Sequence, residues 1–228
     1  MDFKFRLSTF VILLGAIFYF SSAFWVGAET RPPFIIHNVP FTSQAPLGEW
    51  SDPRQADGCE EAAIVMAMAW ARGGGDIPAE EAKRDIVNIS EYEKVIWGFF
   101  QDTSIADTAR LMRDIYGHSG VMVQDDIGAE NIKDALAAGN VVIVPINTQM
   151  TGLVKYKNGP PRHTVIAVGY DEQQDKIIMH DPYTGGAYDL QLSSSALNNS
   201  LWDYHSGIHL NAGPKRSAMI VVPKMPGY

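Results

Sequence analysis

The chain has 228 residues, a formal net charge of −8, a hydrophobic fraction of 46% and a charged fraction of 19%. This composition excludes an intrinsically disordered chain and indicates a globular protein that can bury its own core. The acidic balance argues against nucleic acid as a partner, because phosphate binding needs clustered Lys and Arg, and the sequence has no such cluster.

Residues 1–28 are predicted to be a signal peptide or an N-terminal membrane anchor. Lys4 and Arg6 precede a run from Leu7 to Ala28 that has no charged residue. A spanning helix needs about 20 apolar residues and a signal-peptide core about 7–15, so the length favours an uncleaved anchor. Small residues near the end of the run leave cleavage and secretion open. Either way, the positive end stays inside the cell and the body is exported, so the protein is expected outside the cytoplasm.

The rest of the chain is predicted to be a linker over residues 29–33 followed by one domain over residues 34–228. That domain contains a single cysteine, Cys59. A lone cysteine cannot form an internal disulfide, so Cys59 is a buried filler, a stray thiol or a nucleophile.

The first half of the domain is predicted to be mainly helical. Two short extended segments, 34–36 and 39–41, precede a long loop over 44–58 that is rich in Pro, Gly and Asp. Apolar residues at helical spacing, with glycine at several ends, predict helices over 60–72, 78–89, 104–116 and 129–138. Ser104, with Asp107 three residues later, indicates a capped helix start.

The second half changes to strands. Apolar runs over 141–146, 163–170, 176–179 and 217–222 predict four of them, and the polar residues 171–175 indicate a hairpin between the second and third. Helices followed by strands, rather than an alternation of the two, predict an α+β fold in which a helical N-terminal half packs on an antiparallel sheet.

Cys59 lies where the long loop meets the first helix. A helix N-terminus presents free N–H groups and a partial positive charge, which favour the thiolate form of a cysteine. A thiolate nucleophile also needs a partner that can act as base and then as acid. His163 begins an apolar strand, where sites often form, although a histidine at a strand end can simply face water.

Asp181 follows the next strand of the predicted hairpin and is therefore within reach of the His163 ring. A carboxylate there would fix the tautomer of the histidine and stabilise its charged form. The competing interpretation is an ordinary Asp-Pro turn, because Asp181 is followed by Pro182.

Four segments in order resemble the bacteriocin-processing cysteine peptidases and their stand-alone relatives, which are papain-like enzymes. The segments are Val39-Pro40-Phe41-Thr42-Ser43-Gln44, Gly58-Cys59-Glu60-Glu61-Ala62-Ala63, the strand from Arg162 to Asp171, and His180-Asp181-Pro182-Tyr183-Thr184-Gly185-Gly186. Together they span most of the domain. Each motif is weak by itself, whereas four in the family's order are fairly specific.

The resemblance implies a papain-like fold and a triad of Cys59, His163 and Asp181. The sequence shows no metal-ligand cluster and no phosphate-binding glycine loop, so no metal and no cofactor are expected. The resemblance also implies a glutamine that helps to bind the oxyanion. Gln44 occupies the family's position for it, and Gln55 is the alternative because it lies closer to the cysteine in sequence. Trp50, in the loop before the cysteine, is a candidate for the wall of a substrate groove.

Two features depart from the family. Many relatives have glycine directly after the cysteine, where this chain has Glu60. The best-known relatives are fused to an exporter and cut after a double glycine, and this chain has no exporter, so that substrate does not carry over.

The sequence therefore predicts hydrolysis of a peptide bond in a peptide or protein substrate, outside the cytoplasm. A cell-wall peptide amidase or endopeptidase of the same fold and an inactive, tethered binding domain are the alternatives. The helix end and His163 are expected to depress the pKa of Cys59, on the premise that Glu60 and Glu61 face solvent and are screened.

Overall fold

A computed structural model describes residues 31–183, 186–211 and 213–227 of the chain. The predicted signal peptide or anchor over residues 1–28, like part of the linker, lies outside these ranges. Within them, no helix combines the length and the apolar character needed to cross a lipid bilayer.

The described residues form six α-helices and seven strands. The helices are α1 (Pro53–Ala56), α2 (Cys59–Ala71), α3 (Ala79–Trp97), α4 (Ile105–Tyr116), α5 (Ala129–Ala137) and α6 (Ser194–Ser200). The strands are β1 (Phe34–Ile36), β2 (Met122–Asp125), β3 (Val141–Ile146), β4 (His163–Asp171), β5 (Lys176–His180), β6 (Leu190–Leu192) and β7 (Ala218–Val222).

All seven strands belong to one antiparallel sheet in the order β2-β7-β3-β4-β5-β6, and β1 also pairs with β4. The predicted hairpin is β4–β5, in which Ile166 pairs with His180 and Asp171 with Lys176. The predicted α+β fold with an antiparallel sheet is confirmed.

Helices cover both faces of this sheet, because successive residues of a strand point to opposite faces. Ile143 of β3 packs with the cluster that includes α2, α3 and α4, whereas its neighbours Val142 and Val144 pack with the cluster that includes α5 and α6. Almost every residue of α2 is buried. This explains the small and apolar composition of the helix that begins at Cys59.

Several predicted boundaries differ from the structure. Helix α3 runs beyond the predicted end at residue 89 to Trp97, where Gly98 adopts a left-handed conformation and ends it. The predicted extended segment 39–41 forms no strand, although Val39 is buried. The sequence did not predict the short elements α1, α6, β2 and β6, because segments of three to seven residues carry too little periodicity.

Gly169 of β4 pairs with Ile36 of β1. A Cβ atom at this position would lie 2.3 Å from the carbonyl oxygen of Ile35, which is far inside van der Waals contact. The pairing of β4 with β5 also shifts register between Ala167 and Gly169. The glycine of the strand motif is therefore required by a close approach of two backbones.

Candidate active site

Cys59 is the first residue of α2 and follows a sharp turn, Asp57-Gly58, that connects α1 to α2. Asp52 caps α1 by accepting a hydrogen bond from the Arg54 backbone N–H, and Gly58 is the N-cap of α2. A Cβ at Gly58 would lie 2.6 Å from the Arg54 carbonyl oxygen. Glycine before the cysteine therefore allows the two helices to join in this tight turn.

His163 and Asp181 form a buried pair at the start of β4 and just past the end of β5. The Nε2 atom of His163 lies 2.8 Å from Oδ1 of Asp181, and both residues are almost fully buried. The hairpin brings these two ends together, as the sequence predicted from their positions. A carboxylate can only accept, so it favours the tautomer in which Nε2 carries the hydrogen and Nδ1 presents its lone pair.

Among the described residues, three further groups contact or approach the Asp181 carboxylate. The Tyr156 hydroxyl donates to Oδ2, the Tyr183 backbone N–H donates to Oδ1 at 2.9 Å, and Lys155 Nζ lies 3.8 Å from Oδ2. Such donors stabilise the charged form of a carboxylate and fix its orientation. No sequence pattern singles out Tyr156, which lies in a short 3-10 turn (Val154–Tyr156) and is 25 positions from Asp181 in sequence.

The sulfur of Cys59 meets β4 next to His163. The backbone N–H of Thr164 donates to Sγ at a distance of 3.4 Å. Cys59 and His163 also line one cleft of about 430 Å³, together with Gln44, Tyr183, Asp57 and others. The tertiary structure thus brings the three predicted triad residues to one site, although they lie up to 122 positions apart (59 to 181) in the chain.

Gln44 lines this cleft, whereas Gln55 is completely buried and is not among the lining residues. The Gln44 amide donates to the carbonyl oxygens of Gln55 at 3.0 Å and Ala56 at 2.8 Å, and its Oε1 has no partner among the described residues. The Gln55 amide donates to Glu49 instead. Position therefore favours Gln44 as the oxyanion residue, and its amide would have to leave at least one carbonyl in order to donate there.

The environment of the Cys59 thiol contradicts the expected low pKa. Glu60 and Glu61 do not face solvent: they are 2% and 1% exposed, and Cys59 Sγ donates to Glu60 Oε2 at 2.9 Å. Burial and the adjacent Glu60 carboxylate raise the pKa of the Cys59 thiol well above its ordinary value. The prediction was wrong because helix α2 is buried on all sides, so its first-turn carboxylates are not screened by water.

Charged and aromatic side chains form the walls of the cleft. Arg162 pairs with Asp102 at 2.7 Å, and both line the cleft beside Asp57. Tyr183 lies between the His163 ring, 6.0 Å away, and the half-exposed Trp50, 5.7 Å away. Trp50 therefore supports an aromatic wall through Tyr183 and is not itself among the lining residues.

His180, the neighbour of Asp181 in sequence, points away from the cleft. Its Nε2 bonds the carbonyl oxygen of Val39 at 2.9 Å, its Nδ1 accepts from the Tyr188 backbone N–H, and burial lowers its pKa. It is a neutral packing residue that holds the segment before Gln44 against β5. Within the described ranges, no three His, Cys, Asp or Glu side chains come together in a geometry that suits a metal ion.

Comparisons with known proteins give two matches. A family model described as the Peptidase C39-like family matches residues 36–207, which include all four segments of the resemblance. Among solved structures, the chain is similar to an inferred C39-like peptidase from Bacillus anthracis, with a TM-score of 0.54 and 15% identity. That alignment covers 83% of this chain and 97% of the other. No curated protein matches the chain.

Proposed function

This chain belongs to the Peptidase C39-like family, and from that premise we propose that it is a cysteine peptidase that hydrolyses peptide bonds outside the cytoplasm. The observation that carries the proposal is the buried His163–Asp181 pair, with 2.8 Å between Nε2 and Oδ1. His163 of this pair lines the same cleft as Cys59. A cysteine nucleophile needs a base in the same cleft and a carboxylate that orients the base, so the pair supports the proposal.

In the proposed reaction, His163 Nδ1 removes the proton of the Cys59 thiol as the sulfur attacks the carbonyl carbon of the substrate. Asp181 holds the ring by Nε2 and stabilises the imidazolium that forms. The developing oxyanion is bound by N–H groups at the start of α2 and by the Gln44 amide, after that amide turns from its backbone partners. His163 then protonates the leaving amine, and water hydrolyses the thioester through the same histidine.

The proposal is tested with Cys59→Ala and a fluorescently labelled protein substrate such as casein. The variant removes only the sulfur atom, so folding should be unchanged and the cleavage rate should fall to background. Glu80→Gln, on the exposed start of α3, leaves the cleft untouched and serves as the control. Retained cleavage in Cys59→Ala would refute a cysteine peptidase. A panel that includes peptidoglycan stem peptides would separate a general peptidase from a cell-wall enzyme.

The proposed location has its own test. Protease added outside intact cells should degrade the domain from Glu29 onward, because the charge pattern around residues 4–28 directs the body across the membrane. A cytoplasmic protein of the same cells should survive as the control. Complete protection of the domain in intact cells, with degradation after lysis, would place it in the cytoplasm.

A further inference from the structure

Glu60 makes contacts that are unusual for a residue in the first turn of a helix. Its Oε2 accepts a hydrogen bond from Cys59 Sγ at 2.9 Å, and its Oε1 accepts from the Tyr204 hydroxyl at 2.5 Å and from the Thr103 backbone N–H at 3.3 Å. We call Glu60 and these three donors the Glu60 network. The carboxylate therefore has three donors, and one of them is the sulfur of the predicted nucleophile.

Thr164 of β4 links two members of the Glu60 network, Tyr204 and Cys59. The hydroxyl groups of Tyr204 and Thr164 lie 2.8 Å apart, and the Thr164 backbone N–H donates to the Cys59 sulfur. Glu60 and Tyr204 are almost fully buried, and Cys59 is 8% exposed. Because these groups are buried, water cannot readily replace their hydrogen bonds, and the position of the sulfur depends on the Glu60 carboxylate.

We propose that Glu60 is a further catalytic residue of this site: its carboxylate accepts the hydrogen of the Cys59 thiol in the resting enzyme and holds the sulfur as a neutral thiol until His163 takes the proton. The catalytic role of Glu60 rests on the proposed function. The effect of the Glu60 charge on the pKa of the Cys59 thiol does not depend on that function and can be measured without a substrate.

Acylation of Cys59 needs no reactant other than the substrate. When a substrate binds, the S–H proton passes from Cys59 to His163 Nδ1, the sulfur electron pair forms the bond to the carbonyl carbon, and the C=O pair moves to oxygen. His163 gives the same proton to the amine nitrogen as the C–N bond breaks. The proposal requires Glu60 to be ionised at the start and at the end, so Glu60 gains and loses no proton in the cycle. Since oxidants attack the thiolate form, a resting thiol also protects the single cysteine of this chain.

Other titratable groups lie around Cys59 and Glu60, but none of those named here accepts a hydrogen bond from the sulfur as Glu60 does. Those around Cys59 and Glu60 are Glu61 on α2, Glu93 on α3, Asp102 before α4, His163 with Asp181 at the hairpin ends, and Tyr204 before β7. Burial raises the pKa of Glu61 well above its ordinary value, and Glu61 bonds Ser90 rather than the sulfur. Burial also raises the pKa of Glu60, but the hydrogen bonds from Cys59 and Tyr204 oppose this rise.

The experiment is the pH dependence of Cys59 alkylation by iodoacetamide in the full chain, with Glu60→Gln compared against the wild type. Gln keeps the size of the side chain, can accept from Tyr204 and Thr103, and removes the charge. We expect the wild-type rate to rise only above the free-thiol midpoint of about 8.5. We expect Glu60→Gln to lower the midpoint by about one unit or more, which makes alkylation near pH 7 roughly tenfold faster.

Glu61→Gln is the matched control, because it changes the adjacent buried carboxyl, which makes no hydrogen bond to the sulfur, and it should shift the midpoint much less than Glu60→Gln does. An unshifted midpoint in Glu60→Gln, or an equal shift in both variants, would overturn the inference. If Glu60→Gln does not fold, the ultraviolet thiolate absorbance of the wild type, with Cys59→Ala as blank, decides instead: a thiolate signal at pH 6 overturns the inference. A protein that cleaves no peptide but shows the shift would refute the proposed function and leave the Glu60 inference standing.

Discussion

Replacing Asp181 by Asn is expected to lower the kcat of peptide hydrolysis about 10³- to 10⁴-fold, as loss of the orienting carboxylate does in other triads. An Asn side chain can donate to His163 Nε2 and so stabilise the tautomer that carries hydrogen on Nδ1. That tautomer cannot accept the thiol proton. The imidazolium would also lose the charge that stabilises it, whereas substrate contacts elsewhere in the cleft would persist. The KM should therefore change much less than kcat in steady-state assays with the protein substrate.

The matched control for this change is Tyr156→Phe. It removes one of the donors to the Asp181 carboxylate but leaves the charge and the bond to His163 in place. We expect a loss in kcat of about tenfold or less, because the aspartate keeps its other partners. A small effect of Asp181→Asn, equal to that of the control, would show that the pair is structural and that the triad assignment is wrong.

Replacing Glu93 by Gln is expected to stabilise the protein at neutral pH. Glu93 on α3 is completely buried beside Glu61, and burial together with the neighbouring carboxylates raises its pKa to about 12. In the folded state it is therefore protonated at pH 7, whereas in the unfolded state it is ionised above about pH 4.5. Each pH unit between that value and pH 7 lowers the free energy of unfolding by about 1.4 kcal/mol. The wild type is therefore less stable by about 3 kcal/mol at pH 7 than it is below pH 4.5.

The sign of this effect follows from the raised pKa. The stability that Glu93 contributes is fully present below its unfolded pKa and is lost as the pH rises toward its folded pKa. Gln is neutral in both states and can replace the protonated carboxyl as a donor. Urea unfolding should therefore show Glu93→Gln to be more stable than the wild type by about 3 kcal/mol at pH 7 and nearly equal to it at pH 4.

Glu91→Gln serves as the control, because Glu91 lies on the same helix but is exposed and pairs with Arg54 at 2.7 Å. Losing a surface ion pair should cost no more than about 1 kcal/mol and should not stabilise the protein. If Glu93→Gln and the wild type unfold at the same urea concentration at pH 7, folding does not protonate Glu93, and its carboxyl must be ionised in the folded state.

The buried acids of α2 also explain why the low pKa that the sequence predicted for Cys59 was wrong. A Glu in the first turn of a helix normally faces solvent, and on that basis Glu60 and Glu61 were expected to be screened. The pattern of α2 is apolar enough to bury the whole helix, but the charged residues at its start concealed this. Only the contacts with Tyr204, Thr103 and Ser90, which come from distant parts of the chain, show where these two carboxyls point.

Local periodicity and the order of the motifs were enough to predict the α+β class, the main helices and strands, the β4–β5 hairpin and the family resemblance. Contacts between distant segments account for the other features of the site: Cys59 meets β4 through Thr164, Gln44 and not Gln55 lines the cleft, and Tyr156 supports Asp181. A local pattern specifies which face of an element is apolar. It does not specify which distant side chain occupies the space beside that face, and the charge state of Cys59 depends on that neighbour.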